Sequence, residues 1–176
     1  MAQSELIKIK GRLAFENIFE PYGGGDRYSC VLTEIDPTEI RKLEAEAAIL
    51  AEKEWGKTIT NFSQLAQYCI HDGAEKAQYD GFSEGEKYLS ANNTIKPTVV
   101  DKARRPITKA SGIVYAGCYV MLYGTLWTQN NNNGKGINFS LAGVQFVADG
   151  EPFGGGKVLE PDEFDQYDDL DDDMFG

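Results

Sequence analysis

The sequence predicts a mainly β protein: an OB-fold-like antiparallel barrel with a helical insertion and a disordered acidic C-terminal tail. Three observations predict it. Two long runs rich in β-branched and aromatic residues, 117–126 and 136–147, flank an Asn/Gly-rich connection of hairpin type. A single strong helical pattern stands among strand-like segments. Glycine is abundant at 19 residues, which suits many turns and close backbone approaches. Strands, a helical insertion and more strands form a small barrel, with the OB-fold as the reference architecture and a sandwich as the alternative.

The elements follow in order. Residues 6–15 read as a strand, and between Ile7 and Lys10 apolar and basic residues alternate, giving one apolar and one positive face. Residues 20–26, with three consecutive glycines, form a turn, and 27–35 form a second strand. Asp36 is a fitting N-cap and Pro37 suits the first helical position. Ile40, Leu43, Ala47 and Leu50 recur at spacings of three and four, and Gly56 can end the helix. A weaker helical segment is expected near 61–70, with Phe62, Leu65, Ala66 and Cys69 on one side, so the insertion runs over about 37–72. Residues 73–85 read as a loop, 87–91 as a strand, 97–101 as a short extended segment and 102–106 as a basic loop. The barrel domain spans 1–157 and the tail 158–176.

The net charge of −11 first argues against a polyanionic partner, but its distribution reverses that inference. Nine of the 28 acids fall between Glu160 and Gly176, which holds no Lys or Arg. The remaining 19 acids face 17 bases, so the body is near neutral and can carry a basic groove. No stretch is apolar enough to span a membrane, and residues 1–10 lack an apolar signal core. Three widely spaced cysteines without CxxC fit reduced, half-buried thiols in a cytosolic setting. One histidine with scattered cysteines makes no zinc spacing. Catalytic signatures such as HExxH and GxSxG are missing, as are phosphate-binding glycine loops. We therefore expect no enzyme, no cofactor and no metal site.

Two sets of residues point to function. The first is the tail, whose Asp171, Asp172 and Asp173 precede Met174 and Phe175. Its carboxylates can mimic phosphates and occupy a basic groove, while Met174 and Phe175 can anchor in a partner's pocket; a merely solubilising tail is the plainer reading. The second is a mixture of cations and rings. Lys8, Lys10, Arg12, Arg27, Lys102, Arg104, Arg105, Lys109 and Lys135 are candidate phosphate contacts. Tyr22, Tyr28, Tyr115, Tyr119, Tyr123 and Trp127 are candidate stacking partners. Single-strand binders need this mixture, because cations track the backbone while rings stack on bases. A tyrosine on a barrel strand is also an ordinary core residue. Alternation puts Tyr119, Met121 and Tyr123 on one face and Val120 and Leu122 on the other, without saying which is core. The loop 130–136 is expected to be a mobile hairpin tip.

Several segments taken together resemble phage single-stranded DNA-binding proteins. They are 12–21 at the front, Lys96-Pro97-Thr98-Val99-Val100-Asp101, 114–120, Asn133-Gly134-Lys135-Gly136 and 141–155. The likeness spans most of the chain and keeps its order. It implies an OB-like fold that protects single-stranded DNA during phage replication and recombination, in the cytoplasm of a host cell. It also implies a tail that engages replication or recombination proteins. This chain departs in ending on Gly176 after Phe175, and Ala148 stands where a basic residue is expected. A protein–protein adaptor or DNA mimic is the alternative, though a mimic spreads its acids over a folded face. A homodimer is left open.

Overall fold

The computed structural model describes residues 2–56, 65–153 and 161–167. Its strands are β1 (Ile7–Asn17), β2 (Tyr28–Thr33), β3 (Gln67–Tyr68), β4 (Ile70–Asp72), β5 (Lys87–Asn93), β6 (Thr98–Val100), β7 (Tyr119–Asn131) and β8 (Gly134–Ala148). Among the described residues one α-helix, α1 (Pro37–Trp55), follows β2. β1 pairs antiparallel with β2 and β7, β2 with β5, and β7 with β8. A parallel pairing of Asn92 in β5 with Ser140 in β8 closes the ring. The result is a closed five-stranded barrel in the order β1-β2-β5-β8-β7, the OB-like architecture the sequence predicts.

Past the Asn92–Ser140 contact, one segment lies between β5 and β8. β3 pairs parallel with β8, and after Cys69 the chain passes to β5 as β4. Cys69 N–H donates to the Ile137 carbonyl at 3.0 Å, and its own carbonyl accepts from Ser90 N–H at 2.8 Å. This corrects the expected second helix. Of its range, 61–64 lie outside the described residues, 67–68 and 70 form strand, and Cys69 is the bend between them. The backbone groups there bond to two neighbouring strands, and Cys69 and Ile70 are buried, so the seam overrides a weak helical pattern.

Alternation settles which faces are core. Val120, Leu122 and Leu126 are buried against Ile137, Phe139, Leu141 and Val144, so Tyr119, Met121 and Tyr123 face outward, half-buried. α1 buries Ile40, Leu43, Ala47, Leu50 and Ala51. Asp36 caps it by accepting from Thr38 N–H at 2.7 Å, and Gly56 ends it at φ 67. The β7–β8 strands run on to Asn131 and Gly134, so the expected 130–136 loop shrinks to a two-residue turn at Asn132-Asn133, with Gly134 at φ 100. All three cysteines are buried, deeper than the half-buried thiols expected. Burial pushes the Cys30 and Cys69 thiols up to about 12. The tail lies outside the described residues except at 161–167, where Pro161–Glu163 makes one 3-10 turn.

The barrel has a tight point at a register shift between Tyr123 and Gly124. A methyl at Gly124 would run into the Ser140 carbonyl and the Phe139 ring. Gly124→Ala should lower stability by about 1–3 kcal/mol, read from urea unfolding; an unchanged midpoint would contradict this packing.

Candidate nucleic-acid interface

A polar groove of about 560 Å³ opens where β5 meets β8, beside the loop after β1 and the β7–β8 turn. In an OB barrel the ligand face lies on the second and third strands, between these same two loops. One wall carries Arg27 from the loop just before β2, Ser90 and Asn92 from β5 and His71 from β4. The other carries Trp127, Gln129, Asn131 and Asn138, from the outward side of the hairpin. The β3–β4 segment lines it too, through Ala66, Gln67, Tyr68 and Cys69.

Hydrogen bonds order these side chains. Arg27 Nη1 donates to Asn92 Oδ1 at 2.9 Å. Asn138 Nδ2 donates to Gln129 Oε1 at 3.1 Å, and Gln129 Nε2 donates to Asn131 Oδ1 at 3.3 Å. Asn131 Oδ1 also accepts from Asn133 N–H at 2.9 Å, which ties the relay to the turn. Burial holds the His71 pKa below its ordinary value, against the opposing pull of Glu75, so the imidazole is neutral at neutral pH. The groove thus combines an indole, a cation and a row of amides able to donate and accept. That chemistry suits stacked bases with hydrogen-bonded edges.

The sequence candidates divide over several surfaces. Arg27 and Trp127 line the groove. Lys8 and Lys10 form an exposed ridge on the outward side of β1, opposite Tyr123 and Met121, with Lys8 Nζ 5.7 Å from the Tyr123 ring centre. Across β7 and β8, Tyr123 Oη donates to Gln145 Oε1 at 2.8 Å, and Gln145 Nε2 donates to the Asp101 carbonyl at 3.2 Å. The loop after Asp101 exposes Lys102, Arg104 and Arg105, and Lys102 Nζ lies 5.9 Å from the Phe146 ring centre. Lys109 lies apart, 4.0 Å from Glu20. Lys135 turns back over the Trp55 ring at 5.5 Å. Tyr28 shares a face with the buried Cys30 and Leu32.

Arg12 and Tyr115 are occupied internally. Arg12 donates to the Gly117 and Glu151 carbonyls and to Glu34 at 3.0 Å, and lies 3.9 Å from the Phe153 ring centre. Its guanidinium thus joins β1 to the segments flanking β7 and β8. Tyr115 Oη donates toward Asp149 at 2.9 Å or the Gly150 carbonyl at 3.0 Å, and accepts from Gly150 N–H at 3.2 Å. Asp171, Asp172, Asp173, Met174 and Phe175 lie outside the described residues.

The chain matches, over residues 4–175, the family described as Enterobacter phage Enc34, ssDNA-binding protein. It belongs to that family. Protein p50 of Acyrthosiphon pisum secondary endosymbiont phage 1 is 36% identical over 172 residues, 90% of this chain and 92% of that protein. A solved structure of the bacteriophage Enc34 single-stranded DNA-binding protein in complex with ssDNA is similar in fold. Its TM-score is 0.72 at 24% identity, covering 85% of this chain and 89% of that one. A second Enc34 structure gives 0.69 at 25% identity, covering 91% and 90%. The single-stranded DNA-binding protein gp2.5 of bacteriophage T7 shares the fold at TM-score 0.53 and 18% identity, covering 93% of this chain and 100% of that one.

Within this Enc34-family fold, sequence reasoning missed the amide row, His71 and Asp101. Only the Asn-rich run offered a signal, and it read as a loop. Asp101 organises the basic loop: its carboxylate accepts from Ala103 N–H at 2.8 Å, Arg105 N–H at 2.9 Å and Arg105 Nε at 2.8 Å. These donors, the Arg105 backbone N–H foremost, hold its carboxyl below the usual range. The ionised form is therefore the one the fold favours, and the stability it brings is present above the ordinary carboxylate pKa of about 3.9. It fades as pH falls through the lower folded-state value. Asp101→Asn should lower the thermal midpoint at pH 7, and the gap from wild type should shrink below about pH 4; a gap independent of pH would contradict the assigned role.

Proposed function

We propose that this chain binds single-stranded DNA non-catalytically along the β5–β8 groove, tolerantly of sequence, in replication or recombination. The observation that carries the reading is the groove: Trp127 and Arg27 stand with a row of amides on the face where an OB barrel takes its ligand. The names of the Enc34 and T7 relatives point the same way. Trp127 stacks on a base, Arg27 neutralises a phosphate, and the amides bond to whichever base edge is presented, since each both donates and accepts. The exposed Lys8–Lys10 ridge and the Lys102–Arg105 loop attract and hold the strand outside the groove. The tail, 158–176, competes with DNA for these cations and recruits replication or recombination proteins through Met174 and Phe175.

Titration of the full chain with fluorescent oligo-dT should saturate at low salt and weaken steeply between 50 and 200 mM salt, an approximate range set by counterion release. Trp127→Ala should weaken binding by about 1–3 kcal/mol at a fixed salt concentration. Saturable binding that ignores both salt and Trp127 would defeat the groove reading. A chain ending before Glu160 should bind oligo-dT more tightly at low salt. Equal affinity of the truncated and full chains would remove the competitor role.

A further inference from the structure

A second opening lies on the same side of the barrel and shares no residue with the groove. It is a pocket of about 400 Å³ walled by Ala14, Phe15, Tyr79, Phe82, Ala116 and Phe153, with Gln78 and Asp80 at its rim. Phe15 and Tyr79 are 38% and 47% exposed, so two large rings face water beside an apolar hollow. Phe15 sits at φ 48, where β1 shifts register between Ala14 and Asn17. A bulky side chain in the left-handed region is strained, and such strain concentrates at functional positions. The loop carrying Tyr79 and Phe82 is braced. Asp72 accepts from Ala74 N–H at 2.8 Å and Gly85 N–H at 3.2 Å. Gly73 packs against the backbone of Ser83 and Glu86 too closely for any Cβ.

A chain of rings joins this pocket to the groove. His71 lines the groove and stacks on Tyr88 at 5.1 Å; Tyr88 meets Phe82 edge-on at 5.3 Å. Phe82 meets Phe15 at 6.0 Å, and Phe15 meets Tyr79 at 5.1 Å. Lys76 Nζ stands over this path, 4.8 Å from the Phe15 ring centre and 5.7 Å from that of Tyr88. We propose that the pocket is a nucleobase subsite: a strand leaving the groove past Tyr88 lodges one unstacked base against Phe15 and Tyr79, with its phosphate at Lys76. A neutral base suits this apolar pocket, where Lys76 stands over Phe15 and the Arg12 guanidinium beside Phe153 is already engaged by two carbonyls and Glu34. Asp80 on the rim and Glu75 beside Tyr88 oppose an acidic peptide in the same place.

The proposal rests on the groove reading, and the test separates the two. Wild type, the Phe15→Ala/Tyr79→Ala double variant and Phe15→Trp are titrated with oligo-dT of about four and about sixteen nucleotides, the ends of the range for one OB barrel. The double variant should lose about tenfold or more in affinity for the longer strand and keep wild-type affinity for the shorter. Phe15→Trp should keep both. Thermal midpoints check folding, and both replaced rings are exposed. Unchanged affinity of the double variant for both lengths overturns the subsite, as does an equal loss for both. Failure of wild type to bind either strand overturns the groove reading instead. Wild-type affinity of the double variant for the longer strand, with loss of capture of an acidic Phe-ended peptide, would assign the pocket to a protein ligand and overturn the proposal.

Discussion

Closure of the barrel between β5 and β8 is the constraint on which the site depends. These strands run parallel, so no hairpin can join them, and β6 and β7 must intervene. The contact is narrow, at Asn92 and Ser140, and the β3–β4 segment bonds to β8 on one side and β5 on the other. Because the ring closes there, the outward side chains of β5 face those of the β7–β8 hairpin across a gap. Arg27 and Asn92 end up opposite Trp127 and Asn138. The groove is thus a consequence of closure, lined by the segment that seals it.

The distribution of charge follows the same geometry. The body is near neutral in total, yet its cations are not equivalent. Arg12 is consumed by two carbonyls and Glu34 and ties β1 to the segments before β7 and after β8. Lys10 and Lys8, two and four residues earlier on the same outward face, remain exposed. Asp101 spends its charge on backbone and Arg105 donors, and so presents Lys102 and Arg104 on an ordered loop. A count of bases therefore overstates the cations open to a phosphate, while a well-placed acid can improve their presentation.

Much of the fold was legible because its signals are local. The Asp36-Pro37 start, the apolar stripe from Ile40 to Leu50 and the Gly56 stop describe α1 within one stretch of chain. The alternation in β7 likewise separates Val120 and Leu122 from Tyr119, Met121 and Tyr123. The segment 67–72 was misread because its strand character comes from β8 and β5, not from its own pattern. The hydroxyl of Tyr115 bonds to Asp149 and Gly150, a partnership 34 and 35 residues distant that no local pattern announces.

The positions of β1, β2, β5, β7 and β8 along the chain, the position of α1, the acidity of the tail and a body able to carry a basic surface all follow from the sequence, since period, capping and charge are properties of neighbouring residues. The groove and the aromatic pocket do not. Arg27 meets Asn92 across 65 residues, and Phe15 meets Tyr79 only because β1 shifts register and Asp72 braces a distant loop. Such meetings depend on how the ring closes, and closure is settled by long-range pairing that no local window contains.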